Sequence, residues 1–199
     1  MKKFVVLFVL LFACCSLSGC TSDPNIKKIQ KETKLNTSKS EKIFKTLQDV
    51  GIDEISSFKC NQVYCTAENS NLLRSYFSVY IDNGEVSKIS DYQGHTFFEN
   101  GSVKSNIFDY NMTVSSLIYL VETSEAKTKT ILKSPASAVF PDWKQWGVKI
   151  EKDIVEIEGF VDSQNSFGAM LRTPLSFTYK SGLRGFVFVR AKVGNIVIE

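Results

Sequence analysis

The stretch Val155–Tyr179, VEIEGFVDSQNSFGAMLRTPLSFTY, has the period-two alternation of two antiparallel strands around a short turn. If residues 166–168 form a three-residue loop, Ile157 lies opposite Phe177 and Val155 lies opposite Tyr179. A slip of one residue would set polar against apolar side chains and expose the apolar face. The hydrophobic pattern therefore predicts one register for this hairpin.

The predicted register has two consequences that can be checked. The last residue of the loop needs a left-handed backbone, and Gly168 adopts that conformation without a steric penalty. Asp162 lies opposite Arg172, so we expect a structural ion pair between them across the strands. Side chains on opposite faces of the sheet would show that the register is wrong.

Two segments with the apolar spacing of a helix each precede a group of segments with the pattern of β-strands. One helix is predicted from Ser40, as its N-cap, to Gly51, and another from near Asn111 to Ser134, just before Pro135. Further strands are predicted at Val63–Thr66, Leu72–Ile81, Glu85–Ile89, Phe186–Val189 and Ile196–Ile198.

These elements define an α+β fold, an antiparallel sheet with one or two helices packed on one face. Their order allows two helix-then-strands units in tandem, at residues 41–105 and 106–199, with the hairpin in the second unit. We find no residue-level repeat, so the interpretation as a duplication rests on the order of elements alone.

The N-terminus has the pattern of an export signal. Two lysines precede the apolar run Phe4–Leu17, which is shorter than the roughly 20 residues of a membrane-spanning helix. The next residues, 17–20 (LSGC), resemble the lipobox of bacterial lipoproteins. The resemblance implies that residues 1–19 are a signal peptide cut before Cys20, whose thiol then carries the lipid. The alternative is an ordinary cleaved signal with a chance cysteine.

This resemblance also implies a location. The chain would be exported and held on a membrane by the lipid at Cys20: the outer membrane in a Gram-negative cell, or the outer face of the cytoplasmic membrane in a Gram-positive one. Residues 20–40 are polar and lysine-rich, so we expect a solvated tether rather than a folded element.

Removal of the signal peptide lowers both the net charge and the number of cysteines of the chain. The formal net charge of +3 falls to +1 without Lys2 and Lys3, which gives no indication of a nucleic-acid partner. Apart from Cys20, the cysteines left are Cys60 and Cys65. Outside the cytosol they favour a disulfide over two separate thiols, and their spacing is not that of a CxxC redox motif.

The sequence lacks the residue sets of common enzymes. His95 is the single histidine, so His-rich zinc motifs are excluded, and its loop context predicts a solvated residue. No GxSxG, Walker A or GxGxxG pattern occurs, and the two SxxK matches equal the chance expectation. We therefore expect no catalytic residue, no cofactor-binding residue and no metal site.

A family resemblance covers residues 131–180. The motif LKSPxSAxFP within Ile131–Pro141, followed by VDxQNSFGA and an arginine within Val161–Arg172, resembles a region of small uncharacterised bacterial exported proteins and lipoproteins. Ala136 stands where that pattern has serine. The resemblance implies an exported context and carries no activity.

Three aromatic side chains are candidates for contacts with a partner. Phe167, at the predicted turn, either folds back onto the core or is an exposed anchor. Trp143 and Trp146 either pack into the core, which we favour, or line a groove. We interpret the polar residues near the turn, such as Asp162, as capping the turn rather than binding a ligand.

The leading functional hypothesis is a non-enzymatic, lipid-anchored envelope protein that binds another envelope or secreted protein. An accessory solute-binding lipoprotein is the alternative, and it would need a deep cleft lined by Trp143 and Trp146. A hydrolase of envelope polymers would need a shielded carboxylate pair such as Glu156 and Glu158, and nothing in the sequence shields them.

Overall fold

A computed structural model of the chain describes residues 23–182 and 185–199. Within them the α helices are α1 (Pro24–Thr33), α2 (Thr37–Asp49) and α3 (Val114–Lys129). The strands are β1 (Ser57–Cys60), β2 (Cys65–Glu68), β3 (Tyr76–Asp82), β4 (Glu85–Asp91), β5 (Thr96–Glu99), β6 (Ser102–Val103), β7 (Gly147–Glu151), β8 (Ile154–Gln164), β9 (Met170–Gly182), β10 (Gly185–Val193) and β11 (Ile196–Ile198).

The strands form two antiparallel meanders, which confirms the α+β class. The first sheet has the order β1-β2-β3-β4-β5-β6, and the second has the order β11-β10-β9-β8-β7. Helices α1 and α2 precede the first sheet and α3 precedes the second, so the helix-then-strands order occurs twice. No helix within the described residues is both long and apolar enough to cross a membrane.

Each sheet has its own hydrophobic core. The first core extends to Ile107, with Tyr110 packed against it, and the second begins at Met112. The cores therefore divide later than the predicted boundary between residues 105 and 106. The reason is local, because a capping box between Asn106 and Asp109 closes a 3₁₀ turn that places Ile107 in the first core.

The expectation of a solvated tether is wrong for residues 24–40, whereas residues 20–22 lie outside the described part of the chain. Asp23 caps α1, and Pro24 occupies its first turn. Ile29 is fully buried in the first core, and Ile26 packs beside it. Two isoleucines three positions apart share one helix face, and their burial recruits a segment whose composition is otherwise that of a linker.

The helix ends differ from those predicted. Helix α2 begins at Thr37 because Asn36, rather than Ser40, accepts the capping hydrogen bond. Helix α3 ends at Lys129, short of Ser134. The hydroxyl of Thr130 donates to a carbonyl of the last turn, and such side-chain bonds compete with helix continuation.

Two strand predictions also needed the tertiary structure. Strands β1, β5, β6 and β7 were not predicted, and β3 begins at Tyr76 rather than at Leu72. Leu72 instead forms an isolated bridge with Thr113, and Leu73 donates its backbone N–H to Met112 at 2.8 Å. These contacts join the first unit to the second, so residues that look like a strand serve as the link.

The hairpin of β8 and β9 has the predicted register. Ile157 pairs with Phe177 and Val155 with Tyr179, and all four side chains are buried in the second core. The hydroxyl of Tyr179 also bonds to that of Ser124 on α3, at 2.6 Å. The hairpin therefore supplies both the centre of the sheet and the polar contact that locates the helix.

Candidate interaction surface

Strands β8 and β9 extend beyond their neighbours. Strand β7 pairs with β8 only over Ile154–Glu158, and the last pair between β10 and β9 joins Val193 to Leu175. Residues 159–174 therefore project from the sheet as a two-stranded arm, which we call the hairpin arm. Its tip is the loop 166–168.

The tip of the arm is held by its own hydrogen bonds. The Asn165 side-chain Oδ1 accepts from the backbone N–H of Phe167 at 2.9 Å and of Ala169 at 3.1 Å. Gly168 has a φ of 81°, as the three-residue loop requires, and donates its N–H to the Asn165 carbonyl. The tip is therefore ordered without help from the rest of the domain.

The predicted ion pair lies on the outer face of the arm. Arg172 donates from Nε to Asp162 Oδ1 at 2.9 Å and from Nη2 to Oδ2 at 2.6 Å. These hydrogen bonds lower the pKa of Asp162 and raise that of Arg172, so both groups stay charged at neutral pH. The guanidinium also lies 3.8 Å from the ring centroid of Phe160, which fixes its orientation.

One edge of the arm is covered. The backbone of Val139 donates to and accepts from the backbone of Asp162, at 2.8 and 2.9 Å. Further along, Gln164 donates its N–H to the hydroxyl of Ser137 at 2.9 Å. The segments 132–141 and 161–169 are therefore in direct contact.

The opposite edge of the arm is open. Outward-pointing backbone groups alternate along an antiparallel pair, so Asp162 and Arg172 present theirs to opposite edges. Met170, two residues from Arg172, points the same way. Within the described residues, the backbone N–H and C=O of Met170 and Arg172 have no hydrogen-bond partner, whereas the Pro174 carbonyl accepts from Gly194.

Exposed apolar side chains surround this edge. Phe167 is 95% exposed, so it does not fold back onto the core, and Met170 and Leu171 are each 52% exposed. A shallow groove of about 760 Å³, lined in part by Arg172 and Lys192, runs beside the edge. Unpaired backbone and apolar side chains occur together here, which is the combination that a partner strand requires.

The two tryptophans pack with the second core and do not lie at the exposed tip of the hairpin arm. Trp146 is only 5% exposed and packs in the second core, with its ring against Gly159, as the core interpretation predicted. Trp143 is half-buried beside it.

The disulfide prediction is confirmed. Cys60 and Cys65 are bonded, with an S–S distance of 2.03 Å, at the end of the β1–β2 hairpin. Cys20, the predicted site of lipid attachment, lies outside the described residues.

His95 differs from the solvated residue that its loop context predicts. Its ring is stacked on Tyr110, with the ring centroids 3.9 Å apart, and its Nδ1 is hydrogen-bonded to the Asp91 carboxylate at 2.8 Å.

The candidate hydrolytic carboxylates remain accessible to water, since Glu158 is exposed and Glu156 lies 4.0 Å from Arg190 on the outer face. No cluster of metal-ligating side chains occurs among residues 23–182 and 185–199.

The sequence did not predict the open edge, although it contains one signal for it. Pro174 lies within the apolar alternation of β9, and proline in a strand is confined to edges and bulges because it has no N–H to donate.

Comparison with models of known families, with curated proteins and with solved structures finds no match to this chain.

Proposed function

We propose that this chain is an exported, lipid-anchored envelope protein that binds an extended segment of another envelope or secreted protein along the open edge of the hairpin arm. The observation that carries the proposal is the unpaired backbone of Met170 and Arg172 beside the exposed Phe167. A partner strand on that edge would receive backbone hydrogen bonds from β9 and apolar contacts from the tip.

The arm favours a strand-like partner over a globular surface. The hydrogen bonds of Asn165 already hold the tip in one conformation, so this chain loses little conformational entropy when the partner binds. Successive residues of a strand face opposite sides, and Met170 and Leu171 are both exposed. A partner segment with apolar residues on either face would therefore find a contact.

The envelope location rests on the lipobox-like residues 17–20 and on the disulfide between Cys60 and Cys65, a bond that persists outside the cytosol. No chemical step is assigned to the chain, and no cofactor takes part in the proposed binding. Replacing Cys20 with serine should abolish the incorporation of labelled palmitate into the protein in cells. Labelling of C20S at the wild-type level would contradict lipid anchoring.

The docking proposal is tested by in-cell photocrosslinking from position 167. The decisive variant is Met170→Pro, which removes an outward N–H and leaves the bonds between β8 and β9 intact, as Pro174 already does. The matched control is Met170→Ala, which shortens the same side chain and keeps the N–H. We expect M170P to abolish a crosslink to one defined envelope or secreted protein, and M170A to retain it.

Two results would contradict this proposal. An equal crosslink in M170P and in the wild type would show that the edge is not used. A crosslink only between two copies of the chain would show that the edge pairs with itself, as exposed edges can.

A further inference from the structure

A second surface lies between the two units and is independent of the hairpin arm. Leu73, in the connection between β2 and β3, donates its N–H to the carbonyl of Met112 at the start of the second core, and the neighbouring Arg74 lines a cavity together with strand β7. Two adjoining cavities of about 510 and 370 Å³ open at this junction, and both are lined by Arg74 and Val148. We call them together the junction groove; their volumes are those of small-molecule sites.

Arg74 is positioned at the centre of the groove by the linking segment. The Asn111 side chain accepts from the Arg74 N–H at 3.1 Å and donates to its carbonyl at 2.7 Å. One guanidinium nitrogen donates to the carbonyl of Tyr110. Among the described residues, no carboxylate lies within ion-pair distance of Arg74, so its charge is not neutralised by the protein.

His95 lies beside Arg74 and is held from two sides. Asp91 is buried and accepts from the backbone of Gln93 and of His95, both at 2.9 Å, as well as from the His95 ring. Because a carboxylate accepts, Nδ1 donates, and Nε2 has no hydrogen-bond partner among the described residues. The ring, stacked on Tyr110, lines the groove.

The other half of the groove is aromatic and apolar. Trp143, Trp146 and Tyr92 line it together with Leu73 and Leu117. The Trp146 ring is buried and its indole N–H has no acceptor within the described residues. This half therefore offers mainly aromatic and aliphatic surface to a ligand, beside the guanidinium of Arg74.

The charge of the whole groove is positive. Lys144, Lys149 and Arg74 line it against one carboxylate, Glu151, which lies 3.7 Å from Lys149. Asp91 lies behind His95 and is occupied by the hydrogen bonds described above. A ligand that matches this arrangement has an anionic head for Arg74 and an apolar body for the tryptophans.

We propose that the junction groove binds a small amphipathic anion, an aromatic or branched apolar carboxylate, with the carboxylate on Arg74 and the apolar body against Trp143. The site needs both units, because Arg74 and His95 come from the first and the tryptophans from the second. It does not depend on the partner proposed for the hairpin arm.

The test uses intrinsic fluorescence of the intact protein. The chain has two tryptophans, Trp143 and Trp146, and both line the groove, so a ligand bound there should change their emission. The probe is phenylacetate, with the uncharged phenylacetamide and with acetate as matched ligands. We expect a saturable change in emission with phenylacetate, and at least about tenfold weaker binding of each control.

Variants separate charge recognition from folding. Arg74→Gln should weaken phenylacetate binding about tenfold or more, whereas Arg74→Lys, which keeps the charge, should retain most of it. Arg190→Gln, on the outer face, removes a charge far from the groove and should leave binding unchanged.

Three results would overturn the proposal: no saturable response to phenylacetate, equal binding of phenylacetamide, or wild-type binding by R74Q. Equal thermal midpoints of the variants would show that any lost binding is not lost folding.

Discussion

The hydrogen bond between Ser124 and Tyr179 is a direct test of how α3 is held on the second sheet. The two hydroxyls are 2.6 Å apart, Ser124 is fully buried and Tyr179 is 2% exposed. In Ser124→Ala the tyrosine hydroxyl keeps its place and loses its partner. An unsatisfied buried hydroxyl costs about 1–3 kcal/mol, against about 0.5 kcal/mol gained from the higher helix propensity of alanine.

We therefore expect S124A to lower the free energy of unfolding by about 0.5–2.5 kcal/mol. Tyr179→Phe should cost less, about 0.5–1.5 kcal/mol, because the serine hydroxyl can donate to a carbonyl one turn earlier in its own helix. In the double variant no polar group is stranded. Its stability should be near that of Y179F, so the two losses should not add.

The measurement is urea unfolding of the four proteins, followed by circular dichroism, with thermal midpoints as a second reading. For a domain of this size, S124A should lower the midpoint by about 1–10 °C. The reasoning would be refuted if S124A were as stable as the wild type, or if the double variant were less stable than S124A alone.

Three further predictions follow from packing, titration and the disulfide. Gly159→Ala places a Cβ 2.8 Å from the Trp146 ring and should cost about 1–3 kcal/mol in urea unfolding, whereas Gly147→Ala, whose Cβ meets nothing closer than 3.7 Å, should change stability by less than about 0.5 kcal/mol. Burial raises the pKa of the Tyr179 phenol above its ordinary value of 10.0, so on raising the pH the unfolded chain loses this proton before the folded chain does. The free energy of unfolding should therefore not depend on this group below pH 10.0 and should fall as the pH rises above 10.0. A Y179F protein whose stability falls equally steeply would contradict this. Reduction of the β1–β2 disulfide should cost only about 2 kcal/mol, since the closed loop is short, and a reduced protein that is fully unfolded at 25 °C would contradict this.

The part of the fold that could be predicted is the part where neighbours in sequence decide the outcome. The β8–β9 register follows from alternation and from Gly168, and it fixes the Asp162–Arg172 pair. A shift of the strand pairing by one residue would turn every side chain of one strand to the opposite face of the sheet, so only one register buries the apolar face.

The limits of elements were harder to predict, because competing contacts decide them. Helix α1 forms in a segment with the composition of a linker, since Ile29 finds a core that lies elsewhere in the chain. Leu72, within a strand-like run, bridges instead to Thr113 in the other unit. Local propensity is a weak preference that distant burial overrides.

The sequence by itself determined the α+β class, the hairpin register, the ion pair and the cysteine pair, since each depends on residues close together along the chain. Only the tertiary structure decided the two candidate surfaces. The open edge exists because β10 stops at Val193 while β9 continues to Met170, and the junction groove exists because Arg74 and Trp143, far apart in sequence, line one cavity. Both surfaces depend on where one strand or segment ends relative to another that is distant in sequence. The local alternation and spacing of residues do not predict these relative positions.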